Sequence, residues 1–126
     1  MAVLPDFPIV NRSLITIEKK KPYLDWANSL PDRCEEEIGS PFSMNELNDE
    51  PSSYLIPEIF DEDELDLYLD RIWVLLFESL LAQWSTDESL WPKKRSKKMF
   101  SEWFDITLHS LVHDLWSKEK LGYSDY

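Results

Sequence analysis

From Asp61 to Trp84 the chain runs for 24 residues without a proline or glycine, and apolar side chains recur there at helical spacing. Leu65, Leu69, Ile72, Leu76 and Leu80 form one row, and Tyr68, Trp73, Phe77, Leu81 and Trp84 widen it to a broad face. Asp61 suits the N-cap, with Glu64 three residues on, and acidic groups at this end oppose the positive end of the helix dipole. The pattern predicts one amphipathic helix over 61–84, ~36 Å long at about 1.5 Å per residue.

The sequence before this helix is broken up. Seven of the eight prolines lie at or before Pro57, so turns and extended segments are expected in the first half. "SLITI" (Ser13 to Ile17) is β-branched and apolar, and reads as a strand ending at the charged "EKKK". Pro22 then suits the first turn of a short helix to Leu30, with Tyr23, Trp26, Ala27 and Leu30 along one stripe. Cys34 to Asp70 holds 13 acidic residues and no Lys or Arg, and 34–53 collects most of the breakers, which predicts an acidic solvated loop there. Within it "SMNE" (Ser43 to Glu46) matches a capping box and predicts one helical turn. "SYLIPEIF" (Ser53 to Phe60) reads as a second strand, with Pro57 marking an edge or an end.

Two strands beside a wide helix are marginal without a third. "ITLHSLVHDL" (Ile106 to Leu115) is the remaining candidate, with Ile106, Leu108 and Val112 on one strand face and Leu111 out of pattern. The same stretch also fits a helix, because Phe100, Phe104, Leu108, Leu111 and Leu115 keep helical spacing, and one helix over 97–120 would make the protein mainly α. The segments "YLIPE" (Tyr54 to Glu58), "DESLWP" (Asp87 to Pro92), "EWFDI" (Glu102 to Ile106) and "HSLVHDL" (His109 to Leu115) resemble parts of small uncharacterised bacterial proteins with no assigned activity. The resemblance implies an α+β fold of about three strands, with 106–115 as the third, the long helix and shorter helices packed on the sheet.

A chain of 126 residues fits one domain, 1–126, able to bury roughly two-thirds of its unfolded surface. With 43% hydrophobic residues it has the material for a core despite a formal net charge of −12. A lone Cys34 can form neither an internal disulfide nor a multi-cysteine metal site, and a cytoplasmic protein is expected. "MAVLPDFPIV" lacks the positive start and apolar run of a secretory leader. The longest apolar run, Ile72 to Phe77, falls far short of the ~18 residues of a membrane span, so no membrane association is expected.

Against this acidity, "WPKKRSKKMFSEWF" (Trp91 to Phe104) gathers five of the thirteen positive charges: Lys93, Lys94, Arg95, Lys97 and Lys98. With Trp91 and Trp103 alongside, they form the candidate binding residues, able in principle to grip phosphates and stack on bases. The anionic remainder repels a polyanion, so nucleic acid is not the expected partner. The plainer expectation is a short helix near Ser96 whose lysines face water while Phe100, Trp103 and Phe104 enter the core. A related one sets the basic turn against the acidic segment 61–66. "KKRSKK" also has the composition of a nuclear import signal, a pattern common by chance.

Asp105, His109 and His113 are the candidate catalytic or metal-binding residues. On a helix they would share a face with neighbours ~6 Å apart, whereas on a strand the two histidines would stand ~13 Å apart, too far for one ion. Ser110 beside them has no nucleophile-elbow glycines. Asp61 to Glu64 lacks the glycine and ligand spacing of a calcium loop. With only Gly39 and Gly122, Gly-rich phosphate loops are excluded, and no cofactor or metal is expected. Trp84 and Trp91 are expected in the core, a partly exposed Trp being the sign of a binding patch. The leading functional expectation is a non-catalytic interaction domain whose partner is another protein or a second copy. The alternatives are an acidic inhibitor or immunity-type protein for a basic partner, and a small metal-assisted or acid–base hydrolase using Asp105, His109 and His113.

Overall fold

The computed structural model describes residues 7–31 and 42–124. β1 (Ser13–Lys19) is followed by α1 (Lys21–Asn28), α2 (Met44–Leu47) and β2 (Ser52–Ile56). The long helix α3 (Glu62–Ala82), a 3₁₀ turn (Glu88–Leu90), α4 (Lys97–Trp103) and β3 (Phe104–His109) complete the order. The strands form one antiparallel sheet in the order β2-β1-β3, and the protein is α+β. Among the described residues no helix is long and apolar enough to cross a membrane.

β1 lies centrally because its alternation serves two neighbours at once. Ser13, Ile15, Ile17 and Lys19 point inward and are buried, while Leu14, Thr16 and Glu18 face outward. The inner face meets Leu65, Leu69, Leu76, Phe77, Leu80 and Leu81 of α3, Tyr23 and Ala27 of α1, and Phe100 of α4. Asp61 caps α3, its carboxylate accepting the Glu64 N–H at 2.8 Å. At the other end the helix stops two residues short of the expected Trp84, whose N–H turns to the Leu81 carbonyl. The Leu80 carbonyl, one of the last four without an intrahelical partner, accepts the Tyr23 hydroxyl at 2.6 Å. Burial, with Tyr54 as a second cause, raises the Tyr23 phenol well above its ordinary range.

α1 starts at Lys21 with Pro22 in its first turn and ends at Asn28, short of the expected Leu30, which is nonetheless buried. The capping box at Ser43 forms as expected, with Glu46 closing it. β2 ends at Ile56 rather than Phe60, because Pro57 has no N–H to donate to the ladder. Cys34 and the loop positions 34–41 lie outside the described residues.

The mainly α alternative is corrected, since no single helix spans 97–120. α4 ends at Trp103 and β3 begins with the next residue. The cause lies far earlier in the chain: the Lys20 N–H bonds the Trp103 carbonyl at 2.8 Å, and Lys19 and Phe104 begin the ladder. A continued helix would leave that side of β1 unpaired. β3 also stops at His109, not at the expected Leu115. Leu14 pairs with His109, yet Ile9 pairs with His113, so five steps along one segment match four along the other. The regular ladder therefore ends at His109, and Ile9–His113 is an isolated bridge in a shifted register.

Lys19 is the buried charge of β1, 7% exposed, donating to Gln83 Oε1 at 3.2 Å above the Tyr23 ring. Burial pushes its pKa below the ordinary 10.5. Lys19→Met is therefore expected to stabilise the fold by about 1 kcal/mol at neutral pH. The folded pKa being the lower one, the cost of burying the charge is complete below it and fades as pH rises toward 10.5. Thermal melts of both proteins across that window check the sign: the advantage of the variant shrinks as pH rises.

Candidate functional site

The basic cluster divides. Ser96 caps α4 by accepting the Met99 N–H at 3.1 Å, which turns Phe100 into the core and sets Lys97 against α3. Lys97 Nζ lies 2.6 Å from Asp66 and 2.5 Å from Asp70, and these hydrogen bonds, Asp66 first, raise its pKa. Arg95 reaches Glu78 at 3.3 Å and the Pro92 carbonyl at 2.7 Å, with its guanidinium over the Trp91 ring. Lys93, Lys94 and Lys98 are exposed and make no ion pair among the described residues. Trp91 is buried, its indole N–H donating to the Ser85 carbonyl at 2.8 Å. Trp103 packs against Phe77, Tyr23 and Trp26. Trp84 is half-buried, 4.8 Å from the Phe42 ring. Trp91 is thus engaged by the core and by Arg95, and Trp103 by the aromatic cluster.

Asp105 and His109 share the outer face of β3 with Thr107, a strand spacing of ~13 Å for residues four apart. That separation exceeds hydrogen-bond reach for an acid–base pair. His109 Nε2 lies 3.2 Å from Thr16 Oγ1, while His113 sits beyond the end of β3 with Nδ1 3.5 Å from the Phe7 carbonyl. Among the described residues no three His, Cys, Asp or Glu side chains gather to hold a metal ion.

A largely apolar concavity lies elsewhere, past the end of β3. The Val10 N–H bonds the Val112 carbonyl at 2.9 Å, and the Asp114 N–H bonds the Pro8 carbonyl at 2.8 Å. Asp114 then accepts the Trp116 N–H at 2.8 Å, turning the chain back toward the sheet. This builds a groove of about 360 Å³ lined by Val10, Leu55, Val112, Leu115, Trp116 and Leu121. Leu115 and Leu121 are each 70% exposed and Trp116 is 58% exposed, with Lys118 over its indole at 4.2 Å. Leu55 pairs across the ladder with Leu14, which carries the apolar surface onto the outer face of the sheet.

The sequence reading missed this groove. Leu115 was expected inside a third strand, and Trp116 and Leu121 were not singled out. The available signal was the apolar residues Leu115, Trp116 and Leu121, set among the charged residues of 114–120 without a sustained strand or helix pattern. No family model, curated protein or solved structure matches the chain.

Proposed function

We propose that this chain is a non-catalytic interaction domain of the cytosol whose ligand is a basic protein segment carrying an apolar anchor. The observation behind this reading is the exposed Leu115, Trp116 and Leu121 at the mouth of an apolar groove. Exposed aromatic and aliphatic groups around a concave, carbon-lined surface have the anatomy of a binding hot spot. Charge supports the same partner. The protein carries a formal −12, Asp114 stands in the groove wall, and the acidic residues 61–64 are exposed. Such a field steers a cationic partner and speeds its association. An inhibitor or immunity-type role toward a basic protein is one form of this activity.

The test is selection of a displayed random-peptide library on the purified domain at low ionic strength. Recovered peptides are expected to place Lys or Arg around one aromatic or aliphatic residue. Their affinity is expected to fall about tenfold with Trp116→Ala, and to weaken as salt screens the charges. Peptides that bind the variant equally well, or ignore salt, refute the reading.

A further inference from the structure

α3 is apolar on two sides, and the core covers one of them. On the other, Leu67 and Leu75 are 67% and 70% exposed and Val74 is 41% exposed. Helical spacing gathers Glu64, Leu67, Tyr68, Arg71 and Leu75 on this outer face. Beside it runs an open groove of about 410 Å³, lined by Pro57, Ile59, Tyr68 and Ile72 among others.

The charges on this face say what covers it. Arg71 is the one positive residue of α3, and Glu64 lies two turns before it. Both are exposed and make no ion pair among the described residues. When two copies of α3 lie antiparallel about a two-fold axis passing between Leu67 and Tyr68, Glu64 faces Arg71 of the partner subunit. By symmetry Arg71 then faces the partner's Glu64. The same register sets Leu67 against Tyr68 of the partner subunit, beside its groove. It also brings Phe60, 59% exposed, opposite Leu75 of the partner subunit. One register thus pairs both free charges and sets Leu67 and Leu75 against aromatic groups. Of the other acids of the helix, Asp66 and Asp70 are held by Lys97 and Glu78 by Arg95, while Glu62 and Asp63 are exposed in the first turn. We infer that the outer face of α3 binds a second copy of this chain, as an antiparallel α3–α3 pair.

Sedimentation velocity over a concentration series tests this. The wild type is expected to pass from monomer to dimer. Arg71→Glu sets glutamates against each other twice across the axis and Glu64→Arg does the same with arginines, so each weakens the dimer at least about tenfold. Mixing the two variants in equal amounts restores opposite charges at both contacts, and dimers return. Both positions are exposed, and matching thermal melts verify that the variants are folded. Added salt is expected to strengthen this association, because it screens the repulsion between two copies of charge −12. A wild type that stays monomeric into the millimolar range overturns the inference, as does a mixture that remains monomeric. A dimer indifferent to both charge changes but lost with Trp116→Ala also overturns it, assigning self-association to the other groove.

Discussion

Replacing Phe77 by alanine is expected to lower the unfolding free energy by about 3–5 kcal/mol, the cost typical of emptying a large buried aromatic site. Phe77 is fully buried. Its ring centre lies 5.8 Å from Phe100, 5.5 Å from Trp103 and 5.4 Å from Phe104, the last edge-on at 90°. It is therefore where α3, α4 and the start of β3 meet. The rings around it belong to α4 and β3, which are joined without a break, and cannot close the void without shifting one of them. Since a domain of this size has roughly 5–15 kcal/mol in total, the variant sits near the limit of folding. Urea titration measures the effect as a fall in midpoint at constant slope. Phe77→Leu, which keeps most of the volume, should recover the larger part. A loss below about 1 kcal/mol for the alanine variant would mean that the cluster repacks freely.

Ser13→Ala is expected to cost about 1–3 kcal/mol although it removes one oxygen, because it strands a buried donor. Ser13 is fully buried at the start of β1, and its Oγ accepts the Ile59 N–H at 2.8 Å. The hydroxyl proton has two carbonyls within reach, Ile59 at 3.0 Å and Ser110 at 3.1 Å. One side chain thus joins β1, the connection from β2 to α3, and the end of β3. With alanine the Ile59 amide has no partner in a site only 5% exposed. Amide exchange locates the damage: Ile59 should lose protection, while Ile17, far along the same strand, keeps it. Unchanged protection at Ile59 would show that something other than this hydroxyl holds the connection.

α3 was legible because its signals lie within a turn or two of each other. The Asp61 cap, the absence of breakers and the apolar rows each act on neighbouring residues, and the expected 61–84 differs from the observed helix only at its ends. The same holds for β1, for Pro22 at the start of α1 and for the box at Ser43. Local pattern failed at 97–115, where Phe100, Phe104, Leu108, Leu111 and Leu115 suit a helix as well as a strand. The free side of β1 decided that case, by bonding Trp103 and pairing residues 104–109. The basic cluster is similar, for no local signal says that Lys97 reaches Asp66 and Asp70, or that Arg95 reaches Glu78. Nor does hydrophobicity alone separate Leu76, which is buried, from Leu75, which is 70% exposed one residue away. The sequence by itself determined α3, β1 and the first turns of α1 and α2, because caps, breakers and periodicity act between close neighbours. Only the tertiary structure decided strand pairing, ion-pair partners and which apolar groups face water, because those depend on residues brought together from distant parts of the chain.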